Sequence, residues 1–304
     1  MTLGTISVWA HLDGPIDFFE NEKSGEMGPA SAERLANFAR RVEELGYSAL
    51  WMPDAFGRDS LVASSWLLAN TTKLNVATGI VSIYSRDPIA MRCAADALNE
   101  QSGGRFILGL GVSHREAVEG MRGHQYEKPL PAMRSYLEAI AKAPYFALPP
   151  AEPTRIVLAG LREKMIALSG ELGQGTHSYL VTPEHTAQAR AILGPDKLLC
   201  VEQPLVLETD PAKARAIARN ELQFYLGLPN YRNSWKALGF ADEDFVDGGS
   251  DHFIDSVIGW GDEAALRKRI DEHLSAGATQ VCIKSLAPGG GTDMRIVELL
   301  APGA

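Results

Sequence analysis

The sequence predicts an α/β fold, a closed parallel (β/α)8 barrel. Three observations point to it: apolar strand-like runs alternate strictly with amphipathic stretches, there are eight such runs, and the chain has 304 residues. A barrel of this kind takes about 250 residues plus insertions, so residues 1–304 are read as one domain. Eight strands in unbroken β/α order favour a closed TIM-type barrel over an open doubly wound sheet.

The strand-like runs fall at 4–10, 48–52, 74–80, 106–110, 155–159, 176–181, 198–207 and 279–284. The helical stretches between and after them are 32–45, 61–70, 89–98, 132–142, 163–172, 184–193, 211–226 and 263–276. In the first of these, Leu35, Phe38, Ala39, Val42 and Leu45 recur at helical spacing. The third helix extends over Asp87 to Ser102, with Pro88 in its first turn and Gly103 and Gly104 just past its end. Phe106, Ile107, Leu108 and Leu110 then form the apolar run of a strand covered on both faces. Gly109 and Gly111 remove side chains where that strand ends, so a ligand or another backbone can approach closely.

Two insertions interrupt the rhythm. Asp13 to Pro29 follows strand 1 and is polar, with several glycines. Leu228 to Asp251 follows helix 7 and contains Tyr231, Trp235, Phe240 and Phe245. Its aromatic content reads either as a lid or substrate wall, or as a helical excursion packed on the barrel or a second subunit.

Hydrophobic residues make up 45% and charged residues 22%, an ordinary globular balance. A net charge of −9 offers no basic surface for nucleic acid or an anionic membrane. Cys93, Cys200 and Cys282 are odd in number and widely spaced, which suits buried free thiols in a reducing cytoplasm. No apolar run approaches the roughly 18 residues needed to span a bilayer, so a soluble, untargeted protein is expected.

His11, Asp54, His114 and His177 each fall at or just after a strand end, where a barrel gathers residues at one mouth. Histidine exchanges protons near neutral pH, which makes His114 and His11 the leading acid/base candidates, with Asp54 beside them. Glu202 and Lys284 are charges inside the seventh and eighth strands, and adjacent strands can pair them as a structural ion pair. Trp51 and Trp66 are expected in the core, while Trp9 lies close enough to the mouth to line it.

Several segments together resemble the bacterial luciferase-like family of flavin or deazaflavin oxidoreductases, over nearly the whole chain. They are GYSALWMPDAF (46–56), TGI (78–80) with SRDP (85–88), SGGRFILGLG (102–111) and VLAGLREKMIALSGELGQG (157–175). Within the family, HSYLVTPEHTAQAR (177–190) and GLPNYRN (227–233) are similar to oxidoreductases that use the deazaflavin coenzyme F420. The resemblance implies a cofactor lying across the C-terminal strand ends. A bulge in strand 3 at Gly79, Ile80 and Val81, often with a non-proline cis peptide, would support its ring, with Gly111 and Ser113 nearby. Its phosphate would sit at Ala159, Gly160, Leu161 and Arg162, where the start of a helix makes an anion site. A small-residue turn needed only for packing is the alternative there. His177, Tyr179 and Thr182 would lie beside the cofactor tail, with Thr182 also the N-cap before Pro183.

The implied activity is F420-dependent hydride transfer to or from a small organic substrate. The alternative is an FMN-dependent monooxygenase supplied with reduced flavin by a partner reductase. Homodimerisation through helices 2 and 3 is common in the family. Two departures stand against direct transfer of the proton-transfer scheme of its sugar-phosphate and alcohol dehydrogenases: Asp54 is followed by Ala55 and Phe56 where those enzymes often have histidine, and His114 replaces their glutamate at the end of strand 4. A metal-dependent barrel hydrolase ranks lower, because Trp9-Ala10-His11 lacks the two histidines such enzymes often have on strand 1. A non-catalytic ligand-binding barrel is the remaining class.

Overall fold

Eight parallel strands close on themselves in the computed structural model, which describes residues 3–11, 16–17 and 30–302. They are β1 (Ile6–Trp9), β2 (Ala49–Met52), β3 (Asn75–Thr78), β4 (Phe106–Gly111), β5 (Arg155–Ala159), β6 (Gly175–Tyr179), β7 (Leu198–Leu207) and β8 (Gln280–Ser285). Each pairs with the next, and β8 pairs with β1. The chain is a TIM barrel, and the strands lie where the apolar runs predict them.

The helices are α1 (Ala32–Glu44), α2 (Ser60–Ala69), α3 (Pro88–Gln101), α4 (Pro129–Lys142), α5 (Glu163–Leu172), α6 (Pro183–Leu193), α7 (Pro211–Leu226), α8 (Pro229–Ala237), α9 (Asp251–Val257), α10 (Glu263–Ser275) and α11 (Met294–Leu299). Local chemistry starts many of them. Ser31, Asp59, Asp87, Thr182, Asp210 and Asp262 each accept a first-turn N–H with the side chain. Pro88, Pro183 and Pro211 occupy first-turn positions where no N–H is required. α3 stops at Gly103 and Gly104, whose φ values of 65° and 91° suit glycine, and Gly104 N–H returns to the carbonyl of Asn99.

The insertion after helix 7, 228–251, folds as α8 and a 3-10 turn at Asp242–Phe245, with α8 bonded to the barrel loops at Leu161 and Leu180 and α9 beginning where the insertion ends. The insertion after strand 1 lies outside the described residues apart from Ile16–Asp17, which pairs in parallel with Thr292–Asp293. A π-helical turn at Glu116–Met121 and the closing helix α11 were not anticipated. Trp51 is fully buried as expected, but Trp66 is 46% exposed, its indole donating to the carbonyl of Ala32. Among the cysteines, Cys200 and Cys282 are buried and Cys93 is half-buried, all of them free. No helix among the described residues is long and apolar enough to cross a membrane.

At the N-terminal end of the barrel, Arg105 ties three elements together. Its guanidinium donates to the carbonyls of Ser102 (3.0 Å), Leu74 (2.9 Å) and Leu68 (2.8 Å) and to the Thr71 hydroxyl (3.2 Å). Burial lowers its pKa against the opposing charge of Glu43, and among the described residues its hydrogen bonds go to carbonyls and a hydroxyl. This arginine is used for the shape of its donor fork as well as for its charge. Arg105→Met should therefore cost about 2–4 kcal/mol in urea unfolding, because it strands several buried carbonyls. Arg105→Lys should recover only part of that loss; full recovery would show that charge alone matters.

Candidate active site

The C-terminal end of the barrel is shaped first by glycine. β3 ends at Thr78, and the chain bulges through Gly79 and Ile80 before Val81–Ser82 pairs with β4. The Gly79–Ile80 peptide is cis, and Ile80 and Val81 follow at the expected bulge. A Cβ on Gly109 would overlap the Thr78 carbonyl, and one on Gly111 would overlap the Ile80 side chain. The Gly-x-Gly of β4 thus admits the neighbouring strand: the close approach is by backbone and Ile80. Thr78 locks the contact, its hydroxyl donating to the Gly109 carbonyl (2.9 Å) and accepting the Gly109 N–H (2.8 Å).

Beneath the bulge lies an aromatic layer. A Cβ on Gly79 would stand 2.8 Å from Trp9 Nε1, 3.1 Å from Tyr179 Oη and 3.2 Å from His177 Nε2. His177, expected near the cofactor tail, is instead wholly buried inside the barrel. It stacks on Trp51 with ring centroids 4.3 Å apart. Its Nδ1 lies 3.0 Å from the Cys200 carbonyl, which can only accept, so Nδ1 carries the proton. Nε2 is left as a buried atom without a hydrogen-bond partner, and burial pushes the imidazole down to about 4. Period-two alternation puts His177 on the same face of β6 as Tyr179, two residues on.

The other predicted polar residues stand around the rim. Asp54 N–H donates to the Ile80 carbonyl (3.3 Å), joining the end of β2 to the bulge. Its carboxylate accepts from Ser60 N–H (3.4 Å) and lies 4.0 Å from Arg122, while burial raises its pKa. His11 has an outer edge open to solvent and sits edge-on to Trp9 at 5.0 Å. Protein packed on its inner side, then the charge of Lys284, push its imidazole down to about 4. His114 occupies another part of the rim, 6.1 Å from the Tyr231 ring of α8. Burial lowers its pKa, against the opposing pull of Glu116 and a hydrogen bond with Asn230. Ser113, just before it, has φ 57°, an uncommon left-handed conformation for serine.

The loops after β5 and β6 adjoin one another. Ala159 pairs with His177 in register, and the Ser178 hydroxyl donates to the Gly160 carbonyl (2.9 Å). A Cβ on Gly160 would come 2.5 Å from Thr176 Oγ1 and 3.2 Å from Ile166, so this glycine satisfies packing whatever the loop binds. Arg162 precedes α5 without capping it, so the first-turn N–H groups have no side-chain cap. Thr182 does cap α6, accepting from His185 N–H (3.4 Å).

Glu202 and Lys284 face each other at 3.8 Å, as adjacent strands allow. Sequence reasoning missed the third member: Lys284 pairs more closely with Glu221 of α7. Its ammonium also lies 4.5 Å over Trp9 and 5.6 Å from the Tyr225 ring. Burial opposes that charge, yet Tyr225, Glu221 and Glu202 hold the lysine above its ordinary range. Glu202 is the weaker partner. One oxygen accepts Leu180 N–H (3.1 Å), the other has no hydrogen bond, and burial raises the carboxyl to about 7 despite Lys284. Glu221 gave no sequence signal because it is one polar residue among many on an amphipathic helix.

Comparison with known proteins adds family information to this geometry. The sequence profile described as luciferase-like monooxygenase matches residues 16–280. A Mycobacterium tuberculosis protein named as a candidate coenzyme F420-dependent oxidoreductase is 32% identical over 116 residues, 38% of this chain and 33% of that protein. The chain thus aligns with about one third of that relative. The F420-dependent tetrahydromethanopterin reductase of Methanopyrus kandleri superposes with a TM-score of 0.70 at 17% identity, covering 99% of this chain and 98% of that one. The oxygenating constituent of 3,6-diketocamphane monooxygenase from Pseudomonas putida, solved with FMN, gives 0.70 at 14% identity, covering 99% and 97%.

The Glu202 carboxyl yields a pH test. Its folded pKa of about 7 exceeds the ordinary 4.5, so the proton it binds favours folding below about 4.5, and that contribution is lost as pH rises through about 7. Glu202→Gln should remove this slope from thermal unfolding across the window. Above neutrality the variant should stay folded, since Lys284 keeps Glu221. A loss of stability equal at every pH would show instead that Glu202 is what anchors Lys284.

Proposed function

From the chain's membership of the luciferase-like monooxygenase family, an enzyme family of F420- or flavin-dependent oxidoreductases, we propose that it is a coenzyme F420-dependent oxidoreductase exchanging a hydride with a small organic substrate. The observation that carries this reading is the backbone shelf at Gly79–Val81, seated on Gly109 and Gly111 at the barrel mouth. The partial similarity to the mycobacterial F420 relative supports the deazaflavin over FMN.

The residues fit such a group. The shelf offers peptide backbone to a flat ring, and Asp54 holds the Ile80 carbonyl in place. The uncapped start of α5 at Arg162 offers N–H groups and a positive dipole end to a phosphate. When bound, the coenzyme supplies the hydride chemistry. The protein's part is to orient, exclude water and move one proton. α8 covers the rim with Tyr231 and Trp235, both buried. Burial lowers the His114 pKa and so favours the neutral imidazole, the form that can take a proton from substrate. His11, also neutral, is the second candidate. We further propose a homodimer through α2 and α3, where Val62 is 69%, Trp66 46% and Ile89 51% exposed.

Fluorescence titration should show tighter binding of F420 than of FMN. Tighter FMN binding, or oxygen-dependent product formation with reduced flavin, would make the protein a monooxygenase fed by a reductase. With a substrate in hand, His114→Asn should preserve coenzyme binding and lower turnover by roughly 100-fold, the scale of general acid/base work. The acid limb of the wild-type rate should lie below the ordinary histidine value of 6.5. Full turnover in His114→Asn with none in His11→Asn would move the role to strand 1.

A further inference from the structure

Helix α8 lies over the rim with two consecutive residues committed to two different loops. The Ser234 hydroxyl donates to the Leu161 carbonyl (3.4 Å), between β5 and α5. The Trp235 indole N–H donates to the Leu180 carbonyl (2.9 Å), between β6 and α6. Both side chains are buried, at 2% and 1% exposure. Phe245 and Phe253 pack on the indole at 5.8 and 4.7 Å, which fixes its direction.

Each carbonyl is part of a loop held from more than one side. Leu161 also faces His185 Nε2 of α6, 2.7 Å from its carbonyl. Leu180 has φ 50°, a conformation that a leucine keeps only where its surroundings impose it. Its N–H is taken by Glu202 and its C=O by Trp235, so the turn is fixed at both ends of one residue. Tyr179 and Thr182 lie on either side of that turn, and Arg162 directly follows Leu161.

We propose that α8 is a clamp that sets the grip on the coenzyme's phosphate tail, with Ser234 and Trp235 as positioning residues for the loops at 160–162 and 179–182. This rests on the reading of the mouth as a coenzyme site. Backbone N–H groups grip an anion well only if they are aimed before it arrives, since loop ordering otherwise subtracts from affinity. Two adjacent side chains on one helix aim both loops together, so the insertion acts on binding without touching the ligand.

The test compares ligands with and without the phosphate: FMN against riboflavin, and F420 against its core lacking the phosphate tail. In the wild type the phosphate-bearing ligand should bind more tightly. Trp235→Phe keeps an aromatic ring and loses the donor; it should shrink that preference by about tenfold, in line with the loss of one buried hydrogen bond. Amide exchange at 161–162 and 180–182 in the coenzyme-free protein should also quicken. Ser234→Ala gives the same readouts should Trp235→Phe destabilise the fold. An unchanged preference and unchanged exchange in folded variants would overturn the clamp. A wild type with no phosphate preference would overturn the phosphate site instead, and the exchange rates would still decide whether α8 holds the loops.

Discussion

The contact on which the mouth depends is the seating of the β3 bulge against β4. Thr78 and Ile80 occupy the space that side chains on Gly109 and Gly111 would fill. From that contact the rest follows in order. The bulge brings the Ile80 carbonyl to Asp54 and leaves Gly79 facing Trp9, Tyr179 and His177. The Gly79 N–H in turn donates to the Met52 carbonyl (2.6 Å), so β2, β3 and β4 are fixed as a unit at their functional ends. A side chain at either β4 glycine would have to displace neighbouring backbone or a packed isoleucine, and the shelf with it.

One buried histidine away from the mouth, His273, is fully bonded. His273 of α10 lies between the Thr186 hydroxyl (2.8 Å) and Gln203 (2.7 Å), and burial pushes it down to about 3. Both ring nitrogens have partners, so this histidine joins α6, α10 and β7 as a neutral structural link. The contrast with His177 is informative: there one nitrogen remains without a partner, immediately under the shelf.

Much of the fold was legible because its signals are local. Period-two and period-3.6 patterns, Asp-Pro and Thr-Pro helix starts and glycine stops each act over a few residues, and together they located the barrel strands and the helices between them. The two glycines of β4 were legible as an approach point, though what approaches them was left open until β3 was placed beside them. Partners far apart in sequence were not legible. Nothing near Lys284 points to Glu221, and nothing near Arg105 names the carbonyls of Leu68 and Leu74. Trp66 was misplaced because α2 is apolar on nearly all sides, so its pattern does not mark the face turned outward. His177 was grouped with the residues at the strand ends, whereas the structure buries it inside the barrel, a depth that local pattern does not report.

The walls of the mouth are unlike one another. The β3 bulge opens on a glycine, whereas β1, β6 and β8 contribute the buried side chains of Trp9, Tyr179 and Lys284. A planar coenzyme held there, as the proposed function has it, would have one face turned to the bulge and the other toward the open end, so its two faces would be chemically inequivalent before any second molecule entered. On the proposed function, the side from which a reacting partner approaches would then be decided where two glycines allow one strand to bulge into its neighbour.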